Sequence, residues 1–222
     1  MEFIQVCAGL SFKSFFAQTF HAHRLGFLVL CASLALLSAC ATQTPLTEKT
    51  KEQNWKSNKA ELEKIHSWTL QGRIAVQMEK QSGSASLQWK QDDEEYLIRI
   101  IGPFGKGTIE LNGNKQGVSL RDANDQLQHA KDAETLLKSY LGWYVPINGL
   151  HYWIRGLPNP EQSIETMVLD ENSRISALSQ AGWQVSYGAY MKVDMPYLPR
   201  KLEIRNQGLK VKLTVRKWQP RP

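Results

Sequence analysis

From Trp68 onward the apolar positions fall on every second residue: Trp68, Leu70, Ile74, Val76 and Met78 share one parity, and Gln71, Arg73 and Gln77 take the other. Successive side chains of an extended chain point to opposite faces, so this period of two predicts a half-buried β-strand. Gln81-Ser82-Gly83-Ser84 breaks the run, and Ala85, Leu87 and Trp89 resume it on a second strand. Gln91-Asp92-Asp93-Glu94 turns the chain again, after which Tyr96, Ile98 and Ile100 mark a third strand over 95–101. Ile109 and Leu111 mark a fourth, expected to close at Asn112-Gly113-Asn114, and Val118 and Leu120 mark a fifth. Strands that follow one another this closely predict an antiparallel meander.

Helical spacing interrupts the strands in three places. One helix is expected over roughly 55–66, with Trp55, Leu62 and Ile65 on one side. A second starts at Asp132, a good N-cap, and runs through Leu136, Leu137, Tyr140 and Leu141 to Gly142 at the C′ position. A third, short one covers about 150–155 and is stopped by Gly156 and Pro158. Strands then return at 174–180 and, past Ala181-Gly182, at Trp183, Val185 and Tyr187. A last hairpin pairs 201–205 with 209–218 across Asn206-Gln207-Gly208, with Leu209, Val211, Leu213 and Val215 alternating against Lys210, Lys212, Thr214 and Arg216. The expected fold class is mainly β with helices: one domain, a curved antiparallel sheet whose concave face the mid-chain helices cover.

The amino-terminal region reads differently. Leu25 to Cys40 carries no charge and follows a stretch whose only positive residues are Lys13 and Arg24, the pattern of a signal-peptide h-region. A transmembrane helix is the alternative, but a span needs roughly 20 apolar residues and this run turns polar at Thr42. Its end, Leu37-Ser38-Ala39-Cys40, resembles the lipobox of bacterial lipoproteins. There a peptidase cuts before a cysteine whose sulfur carries diacylglycerol. Ordinary cleavage after Ser38-Ala39 is the competing reading. Residues 1–39 are thus expected to be a cleaved signal peptide and 40–53, polar with a single Pro45, a lipidated flexible tether. The domain proper is expected over 54–222. Ala41 stands where lipoproteins kept in the inner membrane typically carry Asp, so by resemblance the chain is expected at the outer membrane, lipid-anchored on its periplasmic side.

At 222 residues and 42% hydrophobic content the chain can bury one substantial core. Its three cysteines, Cys7, Cys31 and Cys40, all precede the domain, which therefore has neither disulfides nor a thiol nucleophile. Lys and Arg outnumber Asp and Glu, 27 to 21, but the signs alternate instead of forming blocks. Gly105-Lys106-Gly107-Thr108 lacks the Gly-Lys-Ser/Thr succession and following helix of a phosphate-binding loop. His66, His129 and His151 are far apart with no metal-binding companions, and Ser84 has no nucleophile elbow around it. Asp92-Asp93-Glu94-Glu95 reads as a solvated turn. Lys210 to Arg221 interleaves bases with Trp218; the polar face of an amphipathic strand accounts for it, and attraction to anionic lipid headgroups is its most functional version. No catalytic residue, metal ligand or cofactor beyond the lipid on Cys40 is nominated, so neither an enzyme nor a nucleic-acid partner is expected.

The stretch Gly102-Pro103-Phe104-Gly105-Lys106-Gly107-Thr108-Ile109-Glu110-Leu111 resembles the LolB family of outer-membrane lipoprotein receptors. So do Trp143 to Pro146, Trp153-Ile154-Arg155-Gly156-Leu157-Pro158 and Tyr187-Gly188-Ala189-Tyr190. The resemblance implies an unclosed β-barrel with a helical lid over a hydrophobic cavity. It also implies a monomer that accepts acylated lipoproteins from a LolA-like periplasmic carrier and releases them into outer-membrane phospholipid. It further implies an exposed apolar residue at the tip of the loop, here Phe104 between Pro103 and Gly105. Three acyl chains with on the order of 40 methylenes gain roughly 30 kcal/mol on leaving water, so such cargo cannot cross water unshielded. Leu70, Ile74, Val76, Leu87, Trp89, Ile98, Ile100, Ile109 and Leu111, with Leu136 and Tyr140 from the lid, are the candidates to line the shield. The same strand residues would also make an ordinary filled core.

Overall fold

A computed structural model describes residues 47–102, 107–193 and 196–221. Cys40 and the Pro103-Phe104-Gly105 tip lie outside the described residues. Within Leu46–Pro222, which form one compact unit, eleven strands make a single sheet: β1 (Ser67–Gln77), β2 (Ser82–Asp92), β3 (Glu95–Ile101), β4 (Thr108–Asn114), β5 (Gly117–Arg121), β6 (Leu127–Ala130), β7 (Ile164–Leu169), β8 (Ile175–Gln180), β9 (Trp183–Lys192), β10 (Tyr197–Asn206) and β11 (Leu209–Arg221). The order is β6-β5-β4-β3-β2-β1-β11-β10-β9-β8-β7, with every neighbouring pair antiparallel. Two meanders are therefore zipped together where the first strand meets the last. The edges, β6 and β7, stay unpaired with each other, so the sheet curls without closing. Among the described residues three helices complete the fold: α1 (Glu48–Glu63), α2 (Ala133–Leu141) and α3 (Ile147–Trp153). The last two occupy the connection between the sheet's edges.

Several local outcomes differ from the sequence reading. Helix α1 begins at Glu48, inside the segment expected to be tether. Thr47 caps it, its hydroxyl accepting from the Thr50 amide at 3.3 Å, and Lys51–Glu48, Lys56–Glu52 and Lys59–Glu63 pairs run along its surface. A polar stretch with ion pairs at helical spacing can be helix as readily as linker, and docking of Trp55 and Leu62 into the core decides it. The third helix starts three residues earlier than expected, at Ile147, behind Pro146. Asn112-Gly113-Asn114 is strand and not turn, because Gly113 is the bare spot over which the Tyr96 ring lies: a Cβ there would sit 2.1 Å from the ring. β6 and β7 were not expected at all. Edge strands expose both faces in part, and here the large apolars Leu127, Ile164 and Val168 point to solvent, which erases the alternation.

The β1–β11 seam carries a bulge. Gln71 pairs with Lys217 but Gly72 with Val215, so Arg216 is the extra residue. This switches parity within β11, bringing Trp218 inward with Leu213 and Val215. At Gly72 a Cβ would meet the Thr214 carbonyl oxygen at 2.6 Å, so the seam closes only over glycine.

Below the bulge the interior is solid. Trp68 is fully buried, with its ring 5.3 Å from both Trp89 and Trp218. The Trp218 indole donates to the Pro199 carbonyl and the Trp89 indole to Gln91 Oε1, each at 2.9 Å. Across the sheet, buried Gln180 is a hub. Its Oε1 accepts from the Trp153 indole and the Asn159 amide, and its Nε2 donates to the Asn159 and Gln162 carbonyls, all within 2.8–2.9 Å. These bonds, with Tyr187 donating to the Trp153 carbonyl at 2.8 Å, fix the end of α3 to β8 and β9.

Candidate functional site: an apolar hollow between sheet and helices

Above the tryptophan layer the interior is not filled. A cavity of about 350 Å³ lies between the concave side of the sheet and the two mid-chain helices. Ile74 and Val76 of β1, Leu87 and Trp89 of β2, Ile98 and Ile100 of β3, and Ile109 and Leu111 of β4 form one wall. Each comes from the inward parity of its strand, and cross-strand register places Ile98 beside Leu111 and Ile100 beside Ile109. Leu209, Val211 and Leu213 of β11, Ile204 of β10 and Trp183 of β9 form the opposite wall. The roof is Leu137 and Leu141 of α2, Trp143, Val145 and Pro146 of the following link, Ile147 and Leu150 of α3, and Ile154 at its C-cap.

Of the side chains expected to line a cavity, Leu70, Leu136 and Tyr140 do not. Leu70 has no exposed surface and lies in the solid layer, between Trp89 and Trp218 in the strand register. Leu136 is buried in the core and Tyr140 packs against it half-buried, whereas Leu137 and Leu141 face the hollow. The two pairs are adjacent i, i+4 rows on one helix, and periodicity alone does not say which row faces which neighbour. The roof's link and the β9–β11 wall were missed, although the unbroken Leu209-Val211-Leu213 alternation carried the signal for the latter.

Among the described residues no charged side chain lines the cavity and the one hydroxyl is that of Ser84, at the rim beside Gly83 and Ala85, which accepts from the exposed Arg73 guanidinium at 3.2 Å. Polar chemistry is held at the roof's base instead. Arg155 is buried, donating through Nε to the His151 carbonyl at 3.0 Å and through Nη1 to the Ile65 carbonyl at 2.7 Å. Burial pulls its pKa down to about 10. His151, packed 6.3 Å from Trp68 ring to ring, is driven down to about 3, first by burial and then by the nearby Arg155 and His66 charges, so it is neutral at ordinary pH. Among the described residues no group of three His, Cys, Asp or Glu is placed to hold a metal ion, and no helix is long and apolar enough to cross a membrane. His66 and His129 are exposed.

A curled, unclosed antiparallel sheet with helices over a greasy hollow is the architecture of a container for apolar chains. Residues 66–218 match the family described as Outer membrane lipoprotein LolB. The chain is 37% identical over 201 residues to Outer-membrane lipoprotein LolB of Pseudomonas aeruginosa strain LESB58, covering 89% of this chain and 98% of that protein. It is 38% identical over 191 residues to the same-named protein of Pseudomonas putida strain F1, covering 85% and 93%. The chain belongs to the LolB family, the outer-membrane lipoprotein receptors of the Lol pathway, which are lipid-anchored at the outer membrane. Among solved structures, a LolA superfamily protein from Nitrosomonas europaea aligns with TM-score 0.45 and 8% identity, covering 75% of this chain and 93% of that one. A DUF1329 family protein from Desulfovibrio piger aligns with TM-score 0.47 and 4% identity, covering 76% and 92%.

Proposed function

We propose that the cavity takes acyl chains of lipoproteins handed over by a LolA-like carrier, and that the chain releases this cargo into outer-membrane phospholipid without catalysis or nucleotide. The observation that carries the reading is a hollow of about 350 Å³ in whose wall, among the described residues, there is no charged side chain. By the measure of benzene in a cavity of about 150 Å³, that space takes roughly 14 carbons, about one acyl chain. At about 0.8 kcal/mol per methylene, such a chain gains on the order of 11 kcal/mol on entering. Triacylated cargo needs more room, so α2 and α3 must part from the sheet to admit it whole. Transfer then runs downhill by differential affinity, from weaker binding on the carrier to stronger binding here and on into bilayer.

Lipid attachment at Cys40, the first residues of the tether (40–46) and the Pro103-Phe104-Gly105 tip lie outside the described residues. In the sequence Pro103 suits position i+1 of a tight turn and Gly105 suits i+3, and the role proposed for Phe104 is to dip into the membrane. A soluble form with Cys40 replaced, mixed with carrier bearing labelled lipoprotein, is expected to acquire the label. Leu137→Trp, which fills the hollow, is expected to abolish uptake at unchanged melting temperature, and Phe104→Glu to accept cargo but deliver it poorly to membranes. Uptake undiminished by Leu137→Trp would place the acyl chain elsewhere.

A further inference from the structure

The convex face of the sheet presents a basic field that the cavity does not use. On β11 the outward parity is Lys210, Lys212, Thr214 and, through the bulge, Arg216 and Lys217, opposite in direction to buried Leu213 and Val215. Register sets Arg73 of β1 and Lys201 of β10 on either side of Thr214, and Arg205 beside Lys210. Glu203 is the acid in the middle of this field, and it is already engaged by Arg205 and, at 3.6 Å, by Lys212. Among the described residues no carboxylate comes within ion-pair range of Arg73, Lys201, Lys210, Arg216 or Lys217.

The rest of the face is small and neutral: Thr69, Gln71, Ala75 and Gln77 on β1, Ser86 and Gln88 on β2, Gln184 and Ser186 on β9, with Lys90 and Asp92 at the far end of β2. Of the large exposed apolars, Leu127, Tyr144, Ile164 and Val168 lie off β10, β11 and β1, and Tyr197 stands at the very start of β10 with the Arg174 guanidinium over its ring, four residues before Lys201. A protein interface needs an aromatic or aliphatic centre that excludes water, and lysine is depleted there. A broad, lysine-rich surface without such an anchor suits a partner whose charge is spread over a plane and needs no docking pocket.

We infer that this convex face, built on β10, β11 and β1, is a docking surface for an anionic phospholipid bilayer, orienting the domain on the membrane. The surface is independent of the cavity and does not rest on the cargo reading. Each cation near an anionic surface contributes about a five-fold gain in partition, and the attraction falls within a Debye length, so it is salt-sensitive.

The test is sedimentation of the anchorless unit, residues 46–222, with phosphatidylcholine vesicles in which phosphatidylglycerol is absent or makes up about a third of the lipid. Binding is expected only to the anionic vesicles and is expected to fall steeply with salt. The triple change Lys201→Glu, Lys210→Glu, Lys212→Glu should weaken it on the order of a hundred-fold or more. The triple arginine change at the same positions should preserve it, and Lys138→Glu on α2 should leave it unaltered. If the charge reversals disturb folding, the triple glutamine change gives the same reading at smaller amplitude. Equal binding to neutral vesicles, an unaffected triple variant, or capture of polyglutamate or duplex DNA as tight as that of anionic vesicles would each overturn the inference.

Discussion

Two glycines show how single residues set the shape of the wall. At Gly72 an added methyl meets backbone, the Thr214 oxygen at 2.6 Å, which cannot move without opening the seam; at Gly113 it meets a side chain, the Tyr96 ring at 2.1 Å. Gly72→Ala and Gly113→Ala are each expected to cost about 1–3 kcal/mol in urea unfolding. Tyr96→Ala should recover part of the loss at Gly113 and nothing at Gly72, and equal rescue of both would contradict this placement. His151 sets an acid limit. Its ordinary value is 6.5 and the folded protein pushes it down to about 3, so the unfolded chain binds a proton that the folded one refuses throughout that window. The resulting stability is intact above pH 6.5 and is lost as pH falls towards 3, at up to about 1.4 kcal/mol per pH unit. His151→Phe is therefore expected to lose less stability than the parent between about pH 7 and about pH 4.5, measured by denaturant unfolding.

At the scale of elements, the roof depends on how α3 is tied down. Gln180 satisfies the Trp153 indole, the Asn159 amide and two carbonyls at once with no exposure of its own. Gln180→Leu would strand all four partners and is expected to cost at least about 3 kcal/mol. The amides of α3 should then exchange hydrogen faster than those of β1 and β2; uniform exchange would show that the roof is held otherwise. This hub was not legible in the sequence, because a glutamine in a strand looks the same whether it faces water or four buried partners. The strands with clean alternation, from β1 to β3 and from β9 to β11, were legible because one face meets the core and the other meets solvent. β6 and β7 were not, since an edge has no such contrast, and the bulge at Arg216 was hidden because alternation resumes beyond it, in the opposite parity, within a run of only a few residues. Half of the cavity wall was readable for the same reason as the strands. The split between solid tryptophan layer and open hollow was not, since Leu70 and Ile74 share a parity and only three-dimensional packing separates them.

For the whole molecule, incomplete closure is what links fold to function. A closed barrel of this wall would have fixed its interior, while a sheet whose edges are bridged by two short helices can widen by moving the bridge alone. On the proposed reading, hydrophobic gain holds the cargo and displacement of the helices lets it in and out. The most direct measurement is fluorescence quenching of the cavity tryptophans by brominated palmitate, with single Trp→Phe changes to assign the signal. Trp89, Trp143 and Trp183 line the hollow, while Trp55 sits on α1 away from it. Quenching that disappears when Trp89, Trp143 and Trp183 are replaced, and persists when Trp55 is, is the expected result. Quenching that follows Trp55, or none at all at saturating ligand, would contradict an acyl chain inside the sheet.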